Sequence, residues 1–490
     1  MNEHLRTIVE LVNFFFLFFV VFYTAFLFLS VIYGAVESEK RERQNTFHKG
    51  ISVDHAINYV PISVLIPAYN EELTILDTVK SLCVLDYPEF EIIVIDDGSK
   101  DRTAEILIHE MELKRTERPI RRQVLCQEMT EIYETVYSGH SITLVRKKNG
   151  GKGDALNMGI NVSRYPYFLS LDADSVLQKD ALKKMIMPIL SDSRVIAVGG
   201  MVQVANEMII EDGEIKEFRF PRKFVVLMQM LEYSRTFMAM RMFLDSFNSN
   251  LIISGTCGLF RKDMVIQTNG YKTDTVGEDM ELVVKLHAYC RSKKVPYKIA
   301  YAPDAICWTQ VPSRLRDMKT QRRRWQMGLM QSLYTHRMIL FNPLYGVMGV
   351  FSTLYYLMVE MLGPFIEFLG VIVICLAARL EMLNVSFMLW YFLLFYLLST
   401  LITITAFFTR VYVLRAPLTV WQAIKVVVLS FVESFVFHHL VTLFRLTAFI
   451  NYRKTKLQWG RIQRQQHNHS DNYEEGAGHG QRKERKKQKK

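Results

Sequence analysis

Long hydrophobic stretches constrain this chain more than any other feature of its sequence. Residues 11–36 contain no charged residue, and a helix needs about 20 apolar residues to cross the hydrocarbon core of a bilayer. No small-residue cleavage site follows this stretch, so it predicts a permanent transmembrane anchor rather than a removable signal peptide. Three more apolar stretches follow, at 346–378, 386–408 and 423–450. The chain is therefore expected to be a multi-pass membrane protein.

The distribution of Arg and Lys predicts how the chain is oriented. Residues 37–49 are richer in basic residues than the leader before the anchor, so the positive-inside rule places the region after the anchor in the cytoplasm and the N-terminus outside. The same rule keeps the final QRKERKKQKK run in the cytoplasm. Three complete C-terminal crossings would put this run outside. We therefore expect 346–378, which is broken at Gly363-Pro364, to be an interfacial helix or two short membrane elements.

Net charge and cysteine usage narrow the choice of partners. The formal net charge is +11, but much of the excess flanks the apolar stretches or lies in the tail. This placement indicates a lipid bilayer as the partner, and no nucleic acid. The six cysteines form no C-x-x-C pair and show no zinc spacing, so we expect reduced, structural thiols.

Between the membrane segments, short β-rich runs alternate with helical runs. Strands are expected at ISVLIPAY, EIIVIDD, ITLVRKK and YFLSLDAD, and helices at 71–83, from Thr103 and around 153–162. This alternation predicts an α/β fold with a mostly parallel sheet and helices on both faces. Residues 104–140 are long for one crossover, highly charged and mostly helical in propensity, and we expect them to form a surface elaboration.

These patterns divide the chain into five segments. They are an anchor at 1–36, a cytoplasmic α/β domain at 37–310, a basic interfacial helix region at 311–345, a C-terminal membrane region at 346–452, and a basic, largely disordered tail at 453–490.

Polar side chains follow two consecutive predicted strands. Asn70 and Glu71 come after the first strand, and Asp96 and Asp97 end the second. In an open α/β sheet, residues at the carboxyl ends of strands surround the ligand crevice. Carboxylates there can accept hydrogen bonds from a uracil imide or a ribose hydroxyl, so the pair favours a nucleotide pocket. The alternative for Asp-Gly-Ser is a simple turn that caps the next helix.

A D-x-D sequence and a glycine-rich segment favour binding of a diphosphate. Asp172 and Asp174 follow a hydrophobic strand, and at i and i+2 they would point to the same side and share Mg²⁺ or Mn²⁺. In KKNGGKGDALNMG, the glycines let backbone approach phosphate, and Lys152 supplies a positive charge. The alternatives are a solvated loop and a flexible turn.

Two further motifs carry acids and arginines. Glu278 and Asp279 begin a predicted helix, where acids usually serve the helix dipole. One of them could act as a general base if the pocket desolvates it and points it at a sugar hydroxyl. QRRRW at 321–325 combines guanidinium groups, which bind diphosphate, with an indole that can stack on a sugar ring. A lipid-binding amphipathic helix would account for its basic residues alone.

In order, IPAYNEE, DDGSKD, DAD, GED and QRRRW resemble the motifs of the processive family 2 glycosyltransferases, the group that contains cellulose, chitin, hyaluronan and poly-N-acetylglucosamine synthases. The resemblance covers roughly residues 60–330, and the flanking membrane segments agree with it. QRRRW matches the Q-x-x-R-W element that distinguishes the processive, membrane-embedded members from simple soluble transferases.

The resemblance implies a GT-A type fold, a UDP-sugar donor, Mg²⁺ or Mn²⁺, and inversion at the anomeric carbon. It also implies roles for individual residues. Asn70, Glu71 and Asp97 would hold uridine; Lys152 would contact the diphosphate; Asp172 and Asp174 would organise diphosphate and metal; Asp279 would be the base; Gln321, Arg324 and Trp325 would line the acceptor end and grip the diphosphate. Trp459-Gly460 resembles a gating element of some relatives.

The expected function is polymerisation of a β-linked polysaccharide from a UDP-sugar, with UDP-N-acetylglucosamine as the expected donor, at the plasma membrane. The growing polymer would be the acceptor, and accessory membrane or export subunits are further candidate partners. A polar path through the helices would let the product leave. Its candidate residues are Glu360, Glu367, Glu433, His438 and His439, and the alternative is that they pair with basic residues at helix ends. Two other functions stay open: a non-processive transferase that adds one sugar to a lipid carrier, and a catalytically silent nucleotide or polymer sensor.

Overall fold

The computed structural model describes residues 3–50, 60–211, 214–217, 220–414, 418–450 and 452. The predicted tail at 453–490 and Trp459-Gly460 lie outside the described residues. The strands are β1 (Ile62–Ala68), β2 (Phe90–Asp96), β3 (Lys114–Arg115), β4 (Met129–Tyr137), β5 (His140–Lys147), β6 (Tyr167–Ser170), β7 (Ser175–Leu177), β8 (Val195–Val204), β9 (Ile209–Glu211), β10 (Glu214–Glu217), β11 (Gly258–Arg261) and β12 (Lys298–Thr309).

Fourteen α-helices lie among the described residues: α1 (Glu3–Gly50), α2 (Ile75–Leu82), α3 (Thr103–Glu110), α4 (Lys152–Val162), α5 (Ala181–Ser191), α6 (Phe224–Arg235), α7 (Arg241–Asp245), α8 (Lys262–Gln267), α9 (Glu278–Ser292), α10 (Leu315–Thr335), α11 (Gly363–Arg379), α12 (Val385–Leu414), α13 (Val420–Val432) and α14 (His438–Leu446). Wider π-helical turns occupy Thr236–Met240, Met348–Ser352, Tyr355–Met361 and Glu433–Phe437, and short 3₁₀ turns occupy Arg337–Ile339 and Pro343–Tyr345.

A ten-stranded sheet forms the centre of the α/β domain, in the order β3-β4-β5-β2-β1-β6-β11-β8-β12-β7. The α/β prediction is confirmed, and β5, β2, β1 and β6 are parallel as expected. The sheet as a whole is mixed, because β11 runs antiparallel to both of its neighbours and the edge strands are antiparallel as well. Only parallel neighbours require a long crossover.

Both faces of the sheet are covered by helices, as predicted. Val64 and Ile66 of β1 pack with α2, α3, α5 and α6 in one hydrophobic cluster. Leu65, between them, packs with α4, α8 and α9 in a second cluster. Alternate side chains of a strand point to opposite faces, so an apolar run buried on both faces is what a central strand requires.

The helical expectation for residues 104–140 is wrong beyond Glu110. Residues 129–137 form β4, which pairs antiparallel with β5, and Lys114–Arg115 form the short strand β3 at the edge of the sheet. Ser138 and Gly139 join the two strands, with φ angles of 50° and 84°. Positive φ at both central residues is typical of the tight turn that matches strand twist. Local turn chemistry and pairing with β2 through β5 therefore outweigh the helical propensity of the charged residues.

Three described helices are long and apolar enough to cross a membrane: Glu10–Gly34, Val385–Tyr412 and Val420–Leu446. A fourth segment, Met348–Met361 with Gly363–Arg379, is bent by 55°, and the bend lies at the predicted break. Pro364 lies in the first turn of α11, where its missing N–H has no helical partner to lose. The chain is therefore associated with a membrane. The five segment boundaries stay predictions.

Candidate active site

The loops after β1 and β2 lie side by side, because these two strands are adjacent and parallel. The Asn70 N–H donates to Ser99 Oγ (3.0 Å), and the Lys100 N–H donates to Asn70 Oδ1 (2.8 Å). The Glu71 N–H donates to Thr103 Oγ1 (2.9 Å). Asn70 has φ 56°, a conformation that Asn adopts more readily than most residues. The structure therefore brings the two predicted polar strand ends together.

Asp97 supports the glycine-rich loop that leads into α4. Its carboxylate pairs with Lys147 Nζ and accepts hydrogen bonds from the N–H groups of Gly150 (3.0 Å) and Gly151 (2.7 Å). Burial raises the pKa of Asp97, and the Lys147 ammonium counteracts this rise. Lys147 also lies 2.7 Å from Asp154 Oδ1. Sequence reasoning assigned Asp97 to uridine alone and did not identify Lys147, since these contacts join distant parts of the chain.

Lys152, the first residue of α4, lies at the centre of a cluster of acids. Its Nζ is 2.5 Å from Asp172 Oδ1 and 3.7 Å from Glu278 Oε1. Burial alone would lower the pKa of Lys152, but the carboxylates of Asp172 and Glu278 raise it to about 12. Lys152 therefore stays positively charged at any physiological pH, as a diphosphate ligand requires.

Glu278 and Asp279 begin α9 beside this lysine. Glu278 is buried, and burial raises its pKa to about 7, while the Lys152 charge counteracts the rise. Asp279 Oδ2 accepts a hydrogen bond from the Gly255 N–H (3.2 Å). A Cβ at Gly255 would lie 2.9 Å from Lys152 Nζ and 3.4 Å from the Asp279 Cβ. Only glycine fits there without displacing the lysine, so the backbone closes directly on the cluster.

Asp172 and Asp174 lie in the turn between β6 and β7, beyond the end of the strand at Ser170. Strand alternation therefore does not orient them as the sequence argument assumed. The Asp172 side chain is 25% exposed beside Lys152, and Asp174 is buried. Among the described residues, three metal-ligating side chains come within 4.8 Å of one another only at Glu367, His438 and His439. The two aspartates offer carboxylate oxygens, which Mg²⁺ prefers, and a cation held by them would complete its shell with diphosphate oxygens and water.

The predicted QRRRW residues lie on α10. The positive charge of Arg324 lowers the pKa of Glu278, so it acts on the Lys152 cluster. Trp325 is 42% exposed, with its ring centroid 6.4 Å from that of Tyr233. Gln321 is half-buried, and its Oε1 has no hydrogen-bond partner in the described part of the chain.

Arg322 holds the tryptophan in place. It donates to both carboxylate oxygens of Glu232 on α6 (2.9 and 2.8 Å). Its guanidinium carbon also lies 4.5 Å from the centroid of the Trp325 ring. A cation over an indole face is favourable, so Arg322 supports the exposed ring from beneath. The sequence motif does not show that Arg322 and Arg324 have different roles. Helical spacing could have shown it, since residues two positions apart on a helix do not share a face.

Two glycines allow α9 and α10 to meet at backbone distance. A Cβ at Gly277 would lie 2.6 Å from the Cα of Gly328, and one at Gly328 would lie 2.8 Å from the Cα of Gly277. Next to them, Gln331 Oε1 accepts from Thr275 Oγ1 (2.7 Å) and the Val276 N–H (3.0 Å). The acids of α9 and the QRRRW motif therefore belong to one rigid assembly. The sequence motifs did not reveal this joint.

The residue that follows QRRRW contacts the membrane region. Gln326 Nε2 donates to the Met361 carbonyl (3.0 Å), next to the bend before α11. Arg445 of α14 donates to Gln326 Oε1 (2.8 Å) and pairs with Glu360 Oε2 (3.0 Å). Glu360 thus pairs with an arginine, which is the alternative raised above for the intramembrane acids.

A sequence profile of the family described as glycosyltransferase like family 2 matches residues 60–328, more than half of the chain. The poly-beta-1,6-N-acetyl-D-glucosamine synthase of Staphylococcus aureus (strain COL) is 29% identical over 354 residues, 69% of this chain and 74% of that protein. The synthase of the same name from Staphylococcus epidermidis is 32% identical over 268 residues, 54% of each chain. Among solved structures, the mannosyltransferase PcManGT from Pyrobaculum calidifontis, in complex with GDP-Man and Mn²⁺, matches with a TM-score of 0.49 and 16% identity, covering 85% of this chain and 97% of that one.

Proposed function

This chain belongs to the glycosyltransferase like family 2, and we propose that it polymerises a β-linked polysaccharide from UDP-N-acetylglucosamine with inversion at the anomeric carbon. It is a glycosyltransferase of the GT-A type. The observation that carries the proposal is the Lys152 cluster, in which one cation and the acids Asp172, Glu278 and Asp279 converge beside Arg324 of QRRRW. The names of the Staphylococcus relatives support the choice of sugar.

The proposed reaction is one in-line displacement. Asp279 takes the proton of the acceptor hydroxyl, and the acceptor oxygen forms a bond to the anomeric carbon of the donor. The bond between that carbon and the diphosphate oxygen breaks, and UDP leaves with the electron pair. Lys152 and Arg324 stabilise the negative charge that develops on the leaving group, which is the usual basis of such catalysis.

A divalent cation, Mg²⁺ or Mn²⁺, would be held by Asp172 and Asp174 and would neutralise the diphosphate. Asn70 and Glu71 would contact the uridine from the loop after β1. Asp97 would act chiefly by keeping Gly150 and Gly151 in place under the diphosphate, since its carboxylate already accepts from both N–H groups.

Polymer export is the second part of the proposal. The catalytic domain would lie in the cytoplasm, the N-terminus outside, and the helices would cross the plasma membrane several times. Gln321 and Trp325 would line the acceptor end, and Gln326 joins that end to the bend before α11. A polymer leaving the site would therefore enter the membrane region beside Glu360 and Arg445.

The test uses the purified full chain in lipid vesicles with Mn²⁺ and a panel of UDP-sugars, and it follows UDP release and product size. We expect a high polymer from UDP-N-acetylglucosamine. Asp279→Asn should lower the rate by roughly 100-fold or more, because it removes the general base. Asp274→Asn is the matched control, since Asp274 is an exposed acid (68%) five residues earlier.

Each other outcome decides between the alternatives. A single sugar added to a lipid carrier would replace the polymerase proposal with a carrier transferase. Binding of UDP without turnover by the wild type would favour a silent sensor. Equal loss of activity in the Asp274→Asn control would contradict the assignment of Asp279 as the base, because the loss would then not be specific to Asp279.

A further inference from the structure

A glutamate and two histidines converge between two helices of the membrane region, away from the Lys152 cluster. Glu367 lies on α11, and His438 and His439 begin α14. His438 Nε2 is 3.1 Å from Glu367 Oε1, and His439 Nδ1 is 3.5 Å from Glu367 Oε2. One ligand atom from each of the three residues lies within 4.8 Å of the other two.

The separations suit a small tetrahedral cation. Two ligands that each lie about 2.1 Å from a tetrahedral zinc are roughly 3.4 Å apart. The two distances from glutamate oxygen to imidazole nitrogen bracket this value. Imidazole nitrogens with one carboxylate form a ligand set that favours a borderline transition metal over Mg²⁺ or Ca²⁺. Three protein ligands leave one coordination position for water.

The groups around the three residues also match a metal site. Tyr396 of α12 lies with its hydroxyl 2.7 Å from His439 Nε2, the ring nitrogen that does not face Glu367. Metal-bound histidines usually donate their other N–H to an oxygen, which fixes the ring and its tautomer. Thr442, one turn after His438, donates to Glu367 Oε2 (3.2 Å). Both partners hold the ligand atoms in place.

We propose that Glu367, His438 and His439 bind a Zn²⁺ ion that fastens α11 to α14. The proposal is independent of the reaction at the Lys152 cluster. It has a mechanical consequence, because the same two chain segments meet again at Glu360 and Arg445. Glu360 lies seven positions before Glu367, on the other side of the bend, and Arg445 lies seven positions after His438, so the two contacts flank the bend. Zinc would then fix the bend before α11, to which Gln326 is attached.

The test measures zinc bound by the purified full chain. Its background variant replaces His467, His469 and His479 with Ala, so that histidines of the tail cannot contribute. After exposure to Zn²⁺ and removal of the excess, metal analysis should give about one zinc per chain. Glu367→Gln and His438→Ala should lose it. Asp174→Asn should keep it, which separates this site from the proposed site for the donor's cation.

Affinity and spectroscopy keep the test decisive if a ligand variant folds poorly. Tyr396→Phe should weaken zinc binding by about 10–100-fold in competition with a chromophoric chelator. Co²⁺ added to the background variant should give the visible spectrum of a tetrahedral site, and Zn²⁺ should bleach it. Zinc content that is unchanged by Glu367→Gln and His438→Ala, or absent from the background variant, would overturn the proposal.

Discussion

Glu278 is a buried acid at the start of α9, and its pKa is raised well above that of an exposed glutamate. An acid in the first turn of a helix ordinarily serves the helix dipole, and the sequence alone leaves this interpretation open for both Glu278 and Asp279. The side chain is instead buried against Lys152, with Asp279 beside it. Its ionised form is disfavoured by burial and favoured by the lysine, and these opposing effects leave its pKa at about 7.

The raised pKa makes a prediction about stability and pH. At pH values below about 4.5, Glu278 is protonated in both the folded and unfolded chain. Between pH 4.5 and 7 the unfolded chain releases this proton while the folded chain retains it, so the free energy of unfolding falls as pH rises. Glu278→Gln should remove this part of the slope. The check is the difference in melting temperature between pH 5 and 7.5, measured for both proteins in detergent.

His140→Ala is the control for that series, because His140 lies on β5 at the far end of the strand from the site. Introduced into both proteins, His140→Ala should leave unchanged the difference between wild type and Glu278→Gln in how the melting temperature shifts from pH 5 to 7.5. Parallel melting curves for wild type and Glu278→Gln across the whole range would contradict a raised pKa at Glu278.

Motif order identified most residues of the cluster, but it could not supply their partners. Lys152, Asp172 and Asp279 were each named from local sequence, and the structure brings all three together. The link between Asp97 and Lys147 joins residues 50 positions apart. Nothing local marks such a contact, because it depends on the register of β2 and β5.

At the scale of elements, the glycine pair between α9 and α10 sets the distance from the acids to QRRRW. Gly328→Ala should push the helices apart, since the added Cβ would lie 2.8 Å from the Cα of Gly277. Overpacking of this kind costs about 1–3 kcal/mol. Displacement of a catalytic group by about 1 Å can cost 100-fold in rate. We therefore expect Gly328→Ala to cause a large fall in the rate of UDP release and only a modest fall in the melting temperature.

Gly363→Ala is the matched control for Gly328→Ala. Its added Cβ would have its nearest neighbour at 3.8 Å, an ordinary contact. A Gly328→Ala variant with wild-type turnover would show that the joint between the two helices is not needed for the reaction.

Elements were easier to predict where one signal dominated. The break at Gly363-Pro364 was visible because proline interrupts a helix in an otherwise apolar run. Strand β5 was also predicted, from ITLVRKK, but β4 was not, because its charged residues favour a helix until a partner strand is present. The partner of β4 is β5, which pairs in turn with β2.

At the scale of the whole molecule, a buried ion pair fastens the catalytic domain to the membrane helices. Arg235 at the end of α6 donates to both carboxylate oxygens of Glu433 (3.2 and 3.1 Å) and to Thr403 Oγ1 of α12 (3.2 Å). The Glu433 side chain is only 1% exposed. Like Glu360, Glu433 therefore pairs with an arginine. Glu367 instead faces His438 and His439.

Removing one partner of such a pair should cost far more than removing both. Glu433→Gln leaves a buried guanidinium without its charge partner, a change that typically costs about 3–5 kcal/mol. Replacing both residues, as in Arg235→Met with Glu433→Met, should recover most of the loss, because no unpaired charge is then buried. The melting temperature of the single and the double variants is measured in detergent, with gel filtration as the readout of unfolding. The exposed pair of Lys183 and Asp86, 2.7 Å apart, is the control and should change stability by less than about 1 kcal/mol. If Glu433→Gln costs no more than Asp86→Asn, the pair of Arg235 and Glu433 does not stabilise the contact between the catalytic domain and the membrane helices.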